Sequence, residues 1–225
     1  MRNSSEEREN TSKHLTRLES FSDGVFAIAI TLLVLEVIQM LHSDGRAGLG
    51  QLLLGHWKSI LVFFMGFLTI LICWINHQLV VSYAEKADSN FFWVNGFVLL
   101  VVTFTPFPTA ILAEYLETEK HLAMAVFGFN YFMMSVAAYS LTAYIYNRLS
   151  SKENNELLLC YKLIYKYTIV YTFLVFLVCF FAVPVAIFLY ALLFIVFAFP
   201  KDFASKLLNR RIKRRSRKHV PMHAD

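Results

Sequence analysis

Cysteine is scarce in this sequence, and its placement excludes two classes of protein. Cys73, Cys160 and Cys179 are the only three in 225 residues. Cys73 and Cys179 fall inside apolar runs, and neither a CxxC pair nor a Cys/His spacing occurs, so the sequence points to no disulfide framework and no structural metal site. The three read as packing residues. Charged residues are also few, at 16% against 57% hydrophobic, with a mean hydropathy of +0.53. An inventory holding 22 Phe and 11 Tyr is too apolar for a soluble domain of this size and fits a polytopic membrane protein. The first 16 residues are polar and of mixed charge, without the short apolar core and small-residue cleavage site of a secretory signal. No phosphate-binding Gly-rich loop, HExxH or Gly-x-Ser-x-Gly is present, so no enzyme and no cofactor are expected. A Thr-Val-Gly-Tyr-Gly filter and a voltage-sensing Arg ladder are missing as well.

What the chain does have is organised around Arg17 to Met40. A membrane-spanning helix needs ~20 mostly apolar residues, and Phe21 to Leu41 supplies them. This span nevertheless carries Asp23 in its first turns, Thr31 in the middle and Glu36 near its far end. Carboxylates at membrane depth are costly, so they face protein or water rather than lipid. The first span therefore belongs inside an assembly.

Further apolar runs predict spans at about Trp57–Val81, Phe91–Leu112 and Leu122–Tyr146, with Leu157–Lys166 as an amphipathic extension at the membrane surface. The last run, Tyr167 to Phe199, would make roughly 50 Å of helix, too long for one crossing of ~30 Å. Pro184 lies near its middle, where it interrupts the hydrogen-bond ladder, so two short spans with a turn near Ala182-Val183-Pro184 are expected. The fold class is thus an all-α integral membrane protein with six transmembrane helices. Residues 1–16 form a flexible N-terminus, 17–200 the membrane domain and 201–225 a basic tail. With six spans, 18 of the 21 Lys and Arg lie on one side, leaving Arg46, Lys58 and Lys120 on the other. Five spans would put the nine basic residues from Lys201 on on the wrong side of the positive-inside bias. Both termini are therefore expected in the cytoplasm, and the Arg210–Lys218 cluster is expected to touch anionic lipid rather than nucleic acid.

On a helical wheel Gly24, Ile28, Leu32 or Thr31, Leu35 and Gln39 share one stripe, and Asp23 lies roughly 140° from Ile28. From spacing alone ordinary helix packing is the favoured reading of the stripe, and for Asp23 a helix-start cap competes with an intramembrane role. In the second span, Trp74-Ile75-Asn76-His77-Gln78 falls at about the depth of Ser22 and Asp23. A hydrogen bond from His77 to Asp23, or a pairing with Arg17, would remove the cost of these polar groups, and His77 is open to a structural or a pH-sensitive role. The third span holds Thr103-Phe104-Thr105-Pro106-Phe107-Pro108-Thr109, whose prolines predict a kink. In a membrane, hydroxyls and neighbouring helices take up the carbonyls so freed.

The run Arg17-x-x-x-Phe21-Ser22-Asp23 followed by Gly24 to Glu36 resembles the first helix of the transmembrane-protein-175 potassium channels. Trp74 with His77, and Phe107-Pro108-Thr109, resemble the same family, and the likeness covers about Arg17 to Phe199. Members with one six-helix repeat are prokaryotic and tetrameric. The resemblance therefore implies a homotetramer in a plasma membrane that passes K+ without a resident metal, with the first helix lining a central pore. It implies a constriction at Ile28, with further rings at Leu32 and Leu35, and a hydroxyl layer at Thr31. Arg17, Phe21, Ser22, Asp23, Trp74 and His77 would form a polar network holding the first helix. Glu36 and Gln39 would sit at the outer mouth. A proton-conducting or proton-coupled transporter using Asp23 and His77 is the alternative.

Overall fold

A computed structural model describes residues 2–43, 48–150 and 155–218. Every regular element among them is helical. α1 (Arg2–Ser43) is followed by the short α2 (Leu49–Gly55), α3 (Trp57–Val81), α4 (Ser89–Phe104), α5 (Pro106–Tyr115) and α6 (Lys120–Tyr144). α6 runs on through a π turn at Ile145–Leu149. After it come α7 (Asn155–Cys179), α8 (Val183–Ala198) and α9 (Pro200–Lys218). Five helical stretches are each long and apolar enough to cross a membrane, and a sixth qualifies when α8 is taken with Pro200–Arg210, which bends away from it by 78°. The chain is a multi-pass membrane protein.

Sequence and structure agree closely at the proline-marked breaks. Pro106 and Pro108 split the third span into α4 and α5 at Thr105. There the Thr105 amide turns to Val102 O (3.1 Å), while the Thr105 hydroxyl donates to Val101 O (3.1 Å) and the Thr109 hydroxyl to Thr105 O (2.9 Å). The Thr105 amide thus takes the Val102 carbonyl that Pro106 cannot serve, and the Thr105 hydroxyl takes the Val101 carbonyl so released. Pro184 sits in the first turn of α8, a position that needs no amide, and the chain reverses at Phe180–Ala182 as expected. One boundary differs. α1 starts at Arg2, so the polar segment expected to be loose is helical, in keeping with the good helix propensity of its Glu, Arg and Lys. Leu157–Lys166, expected as a helical extension, is the first part of α7.

The bundle has two buried clusters. One gathers Leu18, Phe26, Leu33, Ile70, Phe91, Leu141 and Tyr161, meeting α1 between Leu18 and Leu33. The other gathers Leu112, Met124, Phe127, Cys179 and Tyr190 at the opposite end. Cys73, Cys160 and Cys179 form no disulfide among the described residues, and the last two are buried as packing residues. Asp88 caps α4 by accepting from the Phe91 amide at 2.8 Å and also accepts from the Tyr144 hydroxyl, tying α4 to α6. Gly66 allows α3 to approach α5 closely. A Cβ there would lie 2.8 Å from Thr109 Cγ2 and 3.3 Å from Leu33 Cδ2. Gly66→Ala is therefore expected to cost about 1–3 kcal/mol through overpacking, measured as a lower melting temperature of the purified protein in detergent.

Candidate functional site

The periodicity of α1 divides it into two faces. Leu18, Ser22, Phe26, Ala29 and Leu33 are buried and recur every three or four residues, which makes one stripe against the bundle. The opposite stripe is open. Ile28 is 60% exposed, Leu32 40% and Leu35 50%, with Gly24 and Thr31 exposed beside them. The Thr31 hydroxyl donates to Ile28 O at 2.9 Å. Its proton is used within the helix, and its lone pairs remain available to a cation. The side chains of Glu36 and Gln39, expected at the outer mouth, lie outside the described residues.

The buried face meets α3 and α4 through a polar network. Trp74 and Gln78 are four residues apart and so adjacent on one side of α3. Both donate to Asp23 Oδ1, Trp74 Nε1 at 2.8 Å and Gln78 through its amide. His77 is rotated about 100° from Gln78 and addresses a different partner. Its Nε2 lies 2.7 Å from Asn95 Oδ1 on α4, and Asn95 Nδ2 donates to Ser22 Oγ at 3.0 Å. The Ser22 hydroxyl spends its own proton on Leu18 O (2.8 Å). It can therefore only accept from Asn95, which leaves the Asn95 carbonyl to accept and makes His77 Nε2 the protonated nitrogen. His77 Nδ1 is buried without a partner, and the ring leans on Phe26 with centroids 5.2 Å apart.

This arrangement corrects the sequence reading in three respects. His77 bonds Asn95 rather than Asp23 or Arg17, because the two lie on different sides of the α1–α3 contact. Gln78, not His77, completes the Asp23 site with Trp74. Arg17 and Phe21 point to the exposed side of α1, Phe21 being 65% exposed, and stand outside both hydrogen-bonded sets, Asp23 with Trp74 and Gln78, and Ser22 with Asn95 and His77. Asn95 was missed altogether. Its one signal was an amide inside an apolar run, a group that has to find partners when buried.

A second polar junction sits one helix face away. Asn76 donates from Nδ2 to Phe197 O (2.9 Å) and to Ile72 O (2.8 Å), and its Oδ1 accepts from the Tyr165 hydroxyl (3.2 Å). Tyr165 stacks on Phe197 with centroids 5.4 Å apart. Asn76 thereby satisfies a carbonyl orphaned at the C-terminal end of α8. A cavity of about 90 Å³ lies between this junction and His77, lined also by Thr69, Tyr131 and Ser135. Among the described residues no cluster of His, Cys, Asp or Glu could hold a metal ion.

Comparison with known proteins places this geometry. Residues 17–106, the stretch that carries α1, the polar face of α3 and the break before α5, match the family described as endosomal/lysosomal potassium channel TMEM175. A potassium channel of Chamaesiphon minutus is 48% identical over 114 residues, covering 50% of this chain and 56% of that protein. One of Streptomyces collinus is 44% identical over 127 residues, covering 56% and 61%. The matched region thus spans little more than half the length of these relatives. The crystal structure of a lysosomal potassium-selective channel TMEM175 homologue from Chamaesiphon minutus superposes with a TM-score of 0.73 at 32% identity, covering 84% of this chain and 98% of that one. With the order of helices, the Arg17-x-x-x-Phe21-Ser22-Asp23 run and nearly the whole of a solved homologue matched, the chain belongs to the TMEM175 family.

Proposed function

We propose that this chain is a potassium channel in which four copies surround a pore lined by the open stripe of α1. The observation that carries this reading is the two-faced character of α1. One side is fixed by polar contacts to α3 and α4, while the other leaves Ile28, Leu32 and Leu35 40–60% exposed. Arranged around a common axis, these side chains would form successive aliphatic rings able to dewet a narrow path, with Thr31 supplying an oxygen layer between them. Glu36 and Gln39 would stand at the outer mouth, where a ring of acids concentrates cations. K+ would pass transiently, with no cofactor and no chemistry performed. The names of the two bacterial relatives support the same ion. The positive-inside distribution supports a plasma-membrane protein with both termini in the cytoplasm.

The test is the reversal potential of purified protein in planar bilayers, with potassium on one side and sodium on the other. Current reversing toward the potassium equilibrium potential is the expected result. Current that follows only an imposed proton gradient would replace this reading with proton conduction through Asp23 and His77. The separate hydrogen-bond partners of those two side chains weigh against that route.

A further inference from the structure

We infer that α9 is an interfacial helix seated on the anionic phospholipid headgroups of the protein's own membrane. Its 19 residues hold nine Lys and Arg against a single acid, Asp202. A helix so charged cannot cross a bilayer, and its position prevents it from trailing free. It leaves α8, whose 16 residues from Val183 to Ala198 are entirely without charge, at an angle of 78°. If α8 runs across the membrane, that bend lays α9 nearly parallel to the membrane plane. Pro200 opens the new helix where an amide is not needed. Asn76 caps Phe197 O just before the bend, and Tyr165 stacks on Phe197, so the hinge is held by two other helices.

Packing fixes which side of α9 faces inward. Ala204 is wholly buried and belongs to the same cluster as Leu18, Leu149 and Tyr161, with Leu207 and Leu208 partly buried against it, and α9 rests on α7. This is the end of the bundle where the polar network lies. Lys201, Phe203, Lys206 and Arg210 remain exposed, and Phe199 at the bend is 61% exposed. Aromatic side chains interleaved with cations on a helix lying along the surface match the boundary between headgroups and acyl chains. A polybasic segment there is drawn to anionic lipid. A soluble polyanion such as nucleic acid would satisfy the charges but leave Phe199 and Phe203 in water, so lipid is the occupant that both observations favour.

The test is hydrogen–deuterium exchange of residues 200–218 in the full-length protein. It is reconstituted in nanodiscs of phosphatidylcholine alone or with about one third phosphatidylglycerol. Anionic lipid is expected to slow exchange of α9 about tenfold. Salt at about 0.5 M, where the screening length falls to about 4 Å, is expected to reverse the effect. Replacing Arg211, Lys213, Arg214 and Arg215 together by Gln keeps helix propensity and should abolish the lipid dependence while exchange in α3 and α7 stays unchanged. Equal exchange of the wild-type helix in both lipids would overturn the assignment. So would stronger protection by a short DNA duplex added to phosphatidylcholine discs than by phosphatidylglycerol.

Discussion

Ile28→Asn is expected to raise potassium flux through the reconstituted protein by about tenfold or more, because it wets the narrowest ring of the proposed pore. A ring of four isoleucines offers water no hydrogen-bond partner, so a narrow passage between them empties readily. Four amides in the same place can each hold a water molecule, and the passage stays filled. Ile28 is 60% exposed within its own chain, and exposed positions of this kind ordinarily change stability by no more than about 0.5 kcal/mol. A flux change with an unaltered melting temperature therefore separates the pore role from a packing role. Thr31→Val is the informative companion. It removes the oxygen whose lone pairs face outward and keeps the volume, so it should alter the potassium-to-sodium ratio more than the total flux. Bilayer recordings of both variants decide the matter. An Ile28→Asn protein with the conductance of the parent would remove Ile28 from the permeation path.

The Gly24–Ile28–Leu32–Leu35 stripe of α1 could be read in the sequence because a period of 3.6 sorts side chains by face, but spacing alone did not tell whether that face is open or packed. The spans were readable for a related reason. Trp57–Val81 is uniformly apolar and sharply bounded, and Pro106 and Pro184 forbid an uninterrupted ladder wherever the chain goes. Pairing across helices was not readable in the same way. Asp23 needed a donor at its own depth, and both His77 and the Trp74/Gln78 pair offered one. Choosing between them requires the rotation of α3 relative to α1, and that rotation is set by contacts such as Gly66 against Leu33. Asn95 had no motif around it. A single amide among Phe, Val and Leu announces that a partner exists but not which one. The bend before α9 escaped notice because basic composition says nothing of direction, and the carbonyl cap that steadies it comes from Asn76, more than a hundred residues earlier.

Asn95→Leu should be the most damaging single change in the polar network, at about 2–4 kcal/mol. Its cost comes from what it strands. Asn95 is the only link in the described structure between Ser22 and His77. Without it His77, already lacking a partner at Nδ1, loses the acceptor for its Nε2 proton as well, and a buried imidazole is left with neither nitrogen satisfied. Ser22 suffers less because its proton still goes to Leu18 O. Leu shares the branching of Asn but is bulkier, so no cavity is left, and the second variant separates lost hydrogen bonding from overpacking at this buried position. The discriminating experiment adds His77→Phe to Asn95→Leu and follows the melting of all three variants in detergent. If stranded polarity is the cause, the double variant should be more stable than Asn95→Leu alone, since removing both partners is far cheaper than removing one. Additive losses would mean that the two residues act through packing alone, and the network would then not be what holds α1 in place. Recovery would show that α1 is positioned by a continuous run of hydrogen bonds from Leu18 O through Ser22 and Asn95 to His77. That run would hold the helix on one face and leave the other free to line a pore.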